Sequence, residues 1–418
     1  MTQATRTPPV GTGGPRALGH VAALDGLRAI AALMVLTTHV AFQTGLVAKP
    51  IIGPITSRMD FGVCVFFLLS GFLLYRPWSR AAMLGRPGPR LGRYARKRVA
   101  RVYPAYAVLV VVVLGWYVTD APAPVDQWLA YLSLGQIYVN DMSVSTLNQT
   151  WSVATEVSFY VALPLVGWFV LRRHRGDPDR SARWQLQVLA ALVAIAVAFQ
   201  LVRTWTDLLP GWISSFWLPG FLDWFALGMA LAVVQTRWAL PGSRRGAPLA
   251  AMAAEVWTCL IVAGLLFALA ATPLAGTYYV GIDDAGAAPW SAMAKHYLYG
   301  GCAFFLLLPL VLGPASHAYP RSLAHPLARW VGLISYGIFL WHLLVLSVLA
   351  DLFGFGLFQG GFWLLWPTTI LGSCLVAAAS WYLLERPILR RAHRGSDLAA
   401  TGAPGVTLEQ QASTVPSG

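Results

Sequence analysis

Charge is what this sequence has least of. Only 11% of its 418 residues are Asp, Glu, Lys or Arg, where soluble domains carry about 25%. Acids are scarcer than bases, 17 against 30. Cysteine is nearly absent: Cys64, Cys259, Cys302 and Cys374 all sit in apolar stretches without CxxC spacing or a clustered His, so neither disulfides nor a metal are expected. Also missing are an internal repeat and the inverted pair of Gly/Pro-broken helices that marks many transporters. These absences exclude a soluble enzyme and a disulfide-stapled domain. What fills the chain instead is apolar, 57% of all residues. The net charge of +13 would suggest nucleic acid in a soluble protein. Here the positives fall in short connections between apolar runs, which reflects topology, so no nucleic-acid partner is expected.

Ten apolar runs fall at 21–43, 59–78, 102–119, 151–171, 185–206, 216–236, 250–272, 293–313, 330–350 and 362–384, near the length of about 20 residues that a bilayer requires. Their connections alternate in charge. The 79–101 loop holds eight bases (Arg80, Arg86, Arg90, Arg93, Arg96, Lys97, Arg98 and Arg101) and no acid. Bases recur at Arg172, Arg173, Arg175, Arg180 and Arg183, at Arg237, Arg244 and Arg245, at Arg321 and Arg329, and at Arg386, Arg390, Arg391 and Arg394. The acid-bearing connections, with Asp120, Asp126, Asp141, Asp207, Asp283 and Asp284, come between them. Because bases concentrate on the cytoplasmic side, the pattern predicts an all-α integral membrane protein, a bundle of about ten transmembrane helices with both termini cytoplasmic. Residues 1–20 form a polar tail, 21–391 the membrane domain, and 392–418 a polar tail expected to be disordered. The first run lacks a small-residue cleavage pattern and reads as a retained span. The stretch 127–140 is apolar but short, and is expected to be re-entrant or interfacial.

Ionisable groups inside such runs are costly enough to need a reason. Arg28 and His39 in the first run stand eleven residues apart, which is about three turns, so both lie on one helix face roughly 16 Å apart. Arg28 could snorkel to the inner headgroups. His39, deeper and beside Thr37 and Thr38, has the ordinary pKa near 6.5 that suits a base for a hydroxyl proton. Glu156, about one turn into the fourth run, is expected at a similar depth, where it could orient His39 or an acceptor. Arg98 and Arg101 share one face at the mouth of the third helix, suiting phosphates that Arg grips in bidentate fashion. Ser70 and Gly71 within "FFLLSGFLLY" allow close approach of a helix or a ligand. His342 lies deep in the ninth run, whereas His296 begins a helix and His174, His317 and His325 lie in loops.

At these residues the chain resembles the membrane acyltransferase-3 family of integral membrane O-acyltransferases. The resemblance runs over nearly all of 20–390 and rests on five motifs in order: "LDGLRAIAALMVLTTH", "FFLLSGFLL", "RKRVARVYPAY", "TWSVATEVSFYVALP" and "ISYGIFLWH", the last followed by "LLERPILR". It implies transfer of an acyl group, acetyl or short-chain, from cytoplasmic acyl-CoA to a hydroxyl of a sugar-containing acceptor, with no metal. By position it makes His39 the base, Arg28 its motif partner, and Arg98 and Arg101 donor-binding residues. The residues themselves add Glu156 as a catalytic group that orients His39 or the acceptor, Lys97 as an aid to donor binding, and Ser70, Trp151, Ser152 and His342 along the substrate path. Some relatives append a soluble hydrolase-like domain, so the chain resembles the stand-alone type, expected as a multi-pass protein of the cell membrane. A transporter or flippase whose path is lined by Arg28, His39 and Glu156 is the rival reading.

Overall fold

The computed structural model describes residues 22–117, 122–139, 144–209, 211–242, 247–276 and 289–392. Both polar tails, and Asp120, Asp141, Asp283, Asp284, Arg244, Arg245 and Arg394, lie outside these residues. All regular secondary structure among them is helical, in chain order α1 (Ala23–Gln43), α2 (Ile52–Ser57), α3 (Gly62–Met83), α4 (Leu91–Val112), α5 (Val125–Leu132), α6 (Thr150–Val170), α7 (Pro178–Trp205), α8 (Leu222–Trp238), α9 (Ala247–Ala254), α10 (Val256–Ala270), α11 (Pro289–Val311), α12 (Ala318–Leu323), α13 (Pro326–Phe353) and α14 (Phe362–Ser380), with short 3-10 and π turns between. Among the described residues nine helices are long and apolar enough to cross a bilayer.

Two expected elements differ in form. The run at 250–272 is broken: α9 and α10 meet at a bend of 85°. Glu255, at φ −81° and ψ 65°, leaves helical geometry there, so α10 is a segment of 15 residues. Of the 127–140 stretch, the part up to Leu132 lies in α5 and residues 133–139 form turns, packed against α4. The Tyr106 hydroxyl donates to the Tyr131 carbonyl at 2.6 Å, and that of Tyr103 to Leu132 at 3.1 Å. The Tyr106 contact lies roughly 16 Å back along the helix from Tyr117, so this stretch folds back against α4.

Glycines set the helix separations, because a helix without a Cβ lets a neighbouring backbone approach. A β-carbon on Gly228 of α8 would sit 1.9 Å from the Leu68 carbonyl oxygen of α3, and one on Gly332 of α13 would sit 2.0 Å from that of Asp25 in α1. Around the first contact, Phe67 stacks on Phe225 at 4.6 Å and Phe159 on Phe225 at 3.9 Å, forming the aromatic core between α3, α6 and α8. The pairings also give direction. Gly332 meets Asp25 near the starts of α13 and α1, while His342 meets His39 further along both, so the two helices run parallel. Likewise α8 and α11 are parallel, joined by Asp223 with His296 at one end and Gln235 with Val311 at the other.

Candidate active site

Five helices line a partly open cavity. Into it project Arg28 of α1, Phe66 and Ser70 of α3, Arg98 and Arg101 of α4, Ser152, Glu156 and Tyr160 of α6, and Tyr336 and Phe339 of α13. The Ser70 hydroxyl donates to a Glu156 carboxylate oxygen. Arg98 lies 5.8 Å over the Tyr160 ring. Arg101 is clamped: its guanidinium bonds Glu385 at 3.1 Å and lies over the rings of Trp381 and Tyr336 at 5.1 and 5.6 Å. The Glu385 side chain is only 2% exposed and also accepts from Ser380 at 3.2 Å. A buried carboxylate of this kind is tolerable because it is paired.

The Nε atoms of Arg28 and Arg98 are buried without a hydrogen-bond partner. Unmet charged donors that are buried carry a desolvation cost, which an anionic ligand would remove. Three guanidinium groups, Arg28, Arg98 and Arg101, face the cavity against a single lining carboxylate, Glu156, an excess of bases that suits phosphate.

Beyond the cavity, toward the ends of α1 and α13, lies a histidine pair. His342 Nε2 is 3.2 Å from His39 Nδ1, and the rings are 4.9 Å apart. Hydrogen-bond chemistry assigns their protons. His342 Nδ1 is 2.7 Å from the Phe339 carbonyl, and His39 Nδ1 is 2.8 Å from that of Val35. A carbonyl only accepts, so each Nδ1 carries the hydrogen. His342 Nε2 is then a lone pair facing the His39 Nδ1 hydrogen, and His39 Nε2 is left basic and unbonded within the pair. His342 is fully buried; His39 is half-buried. Phe66 and Phe339, edge to face at 5.8 Å, stand between cavity and pair, and Phe339 also contacts the His342 ring at 5.9 Å.

The predicted residues therefore divide. Arg28, Arg98, Arg101, Glu156, Ser70 and Ser152 meet at the cavity. His39 and His342 meet each other outside it. The orienting contact on His39 comes from His342, whereas Glu156 is engaged by Ser70. Of the two roles expected of Glu156, orienting His39 or an acceptor, no contact with His39 is seen among the described residues; Ser70 of α3 donates to the carboxylate instead. Lys97 lines a neighbouring cleft with Arg90 and Arg93 rather than the cavity. Trp151 packs into the aromatic core against Phe216 and Phe221, at 4.9 and 5.5 Å. Sequence reasoning passed over Glu385, whose signal was an acid at the end of the last apolar run, within "LLERPILR". It also passed over a buried pairing at the other end of α3, where His296 bonds Asp223 at 2.7 Å and stacks on Trp224 at 4.3 Å, while Asp60 bonds Lys295 at 2.6 Å. Among the described residues no group of three or more His, Cys, Asp or Glu side chains could hold a metal ion.

Known proteins frame this arrangement. The chain is 26% identical over 393 residues to nodulation protein 10 of Rhizobium leguminosarum bv. viciae, covering 89% of this chain and 94% of that one. It is 28% identical over 249 residues to acyltransferase MdmB of Streptomyces mycarofaciens, covering 54% and 61%. It is 24% identical over 393 residues to O-acetyltransferase OatA of Staphylococcus aureus (strain NCTC 8325 / PS 47), covering 89% of this chain but 58% of that protein. The chain thus spans less than two thirds of the length of MdmB and of OatA. No solved structure matches it. The family described as "Acyltransferase domain" matches residues 21–385, which takes in the arginine cavity and both histidines: the chain belongs to the membrane acyltransferase-3 family.

Proposed function

We propose that this multi-pass membrane protein transfers an acyl group, acetyl or short-chain, from cytoplasmic acyl-CoA to a hydroxyl of a sugar-containing acceptor at the cell membrane. The observation that carries the reading is the His39–His342 pair, which leaves His39 Nε2 as a base on the same helix face as Arg28 at the cationic cavity. The names of OatA and MdmB, an O-acetyltransferase and an acyltransferase, support the class of reaction.

In this mechanism Arg98 and Arg101 hold the donor's phosphates, and the thioester is brought past Phe66 and Phe339. His39 Nε2 takes the acceptor hydroxyl proton as the oxygen attacks the thioester carbonyl. The new C–O bond forms, the C–S bond breaks, and the departing thiolate takes the proton back from the imidazolium. His342 Nε2 faces the Nδ1 hydrogen of His39 and strengthens its hold as that ring becomes cationic. Glu156, held by Ser70, and Arg28 line the donor route.

Ten crossings with both termini cytoplasmic suit this division of sides. The parallel pairs support the count: α8 and α11 run the same way, so the chain between them must cross once, and α10 is the segment available. Parallel α1 and α13 likewise require an odd number of crossings between them, which α3, α4, α6, α7, α8, α10 and α11 supply only if α10 is counted. Acceptor-dependent release of CoA thiol in purified membranes tests the function. His39→Ala should abolish it while expression and folding persist; substrate movement without any acyl donor would instead favour a transporter.

A further inference from the structure

The cavity is flanked by two open clefts, of whose lining the mechanism above uses Arg98 alone. One, of about 1020 Å³, is lined by Arg90, Arg93, Lys97 and Arg98. It continues into the cavity, since Leu73, Leu74 and Arg98 line both. The other, of about 960 Å³, is lined by Arg76, Arg80 and Arg86. Pro77 and Pro87 wall the two clefts apart, and Leu73 borders all three spaces. No acid lines either cleft.

The second cleft is a constructed feature. Arg76 and Arg80 are four residues apart on α3 and so share a face. Arg86 joins them because the chain curls back after α3, its backbone N–H donating to the Ala81 carbonyl at 2.9 Å. That turn uses Gly85 at φ +66°, packed against Gly176, and Arg175 braces it by donating to the carbonyls of Gly85 and Arg86 at 3.4 and 3.2 Å. The Arg76 guanidinium rests 5.4 Å over the Phe72 ring. Positive-inside topology asks only for bases somewhere in a cytoplasmic loop. It does not ask for three of them converging on one cleft beside a second cationic groove.

We propose that Arg76, Arg80 and Arg86 bind a phosphomonoester, the 3′-phosphate of the donor's nucleotide, while Arg98 and Arg101, joined by Arg93 and Lys97 of the adjoining groove, take its pyrophosphate. This rests on the acyl-CoA reading above and deepens it. Charge decides the assignment. Each pyrophosphate phosphorus carries about one charge, whereas a phosphomonoester carries about −1.5 to −2 at pH 7 and three acceptor oxygens, which three convergent guanidinium groups match best. The pantetheine arm then leaves the groove past Arg98 into the cavity.

The test compares acyl-CoA with its 3′-dephospho form in the full-length enzyme, for the wild type and for Arg80→Ala and Arg86→Ala. Both arginines are exposed, so the fold is not at stake. Wild-type KM should rise about tenfold or more when the 3′-phosphate is removed, as loss of a charge-assisted bond implies. Each variant should show the raised KM with acyl-CoA and no further rise with the dephospho donor. If the variants weaken both donors equally, the cleft holds another phosphate, such as an anionic lipid headgroup, and the assignment is overturned. If the wild type does not distinguish the two donors, the assignment fails while the acyl-CoA reading stands. If acyl-CoA supports no transfer at all, it is the underlying reading that fails.

Discussion

Replacing His342 with leucine keeps the buried volume roughly constant and removes one interaction, the Nε2 lone pair 3.2 Å from His39 Nδ1. His39 Nδ1 retains the Val35 carbonyl at 2.8 Å, so the ground state loses a neutral hydrogen bond without stranding a donor, about 0.5–1.5 kcal/mol. Once His39 has taken a proton the same contact is charge-assisted, about 1.5–3 kcal/mol. Only the difference between the two states affects the rate. That difference is about 1–2 kcal/mol, a fall in kcat of roughly 5- to 30-fold. KM for the donor should not move, because His342 lines no part of the arginine cavity. Acceptor-dependent thiol release, measured across donor concentrations, separates the two parameters. His39→Ala with His342→Leu should be no slower than His39→Ala alone, since the residues act as one unit. A folded His342→Leu enzyme with wild-type kcat, or one whose loss appears wholly in donor KM, refutes the pairing.

Glu385→Ala should raise donor KM by about tenfold, because Arg101 loses the carboxylate that fixes it and a buried cation is left unpaired, a change worth several kcal/mol at the pair itself; Glu385→Asp should recover part of the loss. Arg98→Lys keeps the charge but loses the planar contact over Tyr160, and should raise donor KM several-fold with little change in kcat, read from the same saturation curves. Gly228→Val places atoms where the Leu68 carbonyl already stands. It should lower the thermal unfolding temperature by an amount reflecting at least the roughly 1–3 kcal/mol of ordinary overpacking, measured by thermal unfolding in detergent.

The membrane helices were legible because apolar length is an additive property of a segment, visible without knowing its neighbours. The break at Glu255 was not, since the residues on both sides stay apolar and a backbone departure leaves little mark in composition. At the site, Arg28 and His39 stood out because hydrocarbon rejects them. Their partners did not: the contact of His39 with His342 joins residues 303 apart, and that of Arg101 with Glu385 joins residues 284 apart. Helical periodicity places a side chain on a face of its own helix and is silent about which helix that face meets. Matching depth therefore suggested Glu156 as the partner of His39, while lateral packing gave Glu156 to Ser70.

Under the proposed reaction, an enzyme that draws a donor from one side of a membrane and serves an acceptor on the other is in danger of becoming a leak. The edge-to-face rings of Phe66 and Phe339 lie between a cationic chamber and a titratable imidazole, where a continuous file of water would let protons run down the membrane potential. Each charge that slipped through would dissipate about 2.3 kcal/mol per 100 mV. Two rings without hydrogen-bonding groups would interrupt such a file, so the contact that the proposed acyl path has to part would serve as electrical insulation while the enzyme is idle.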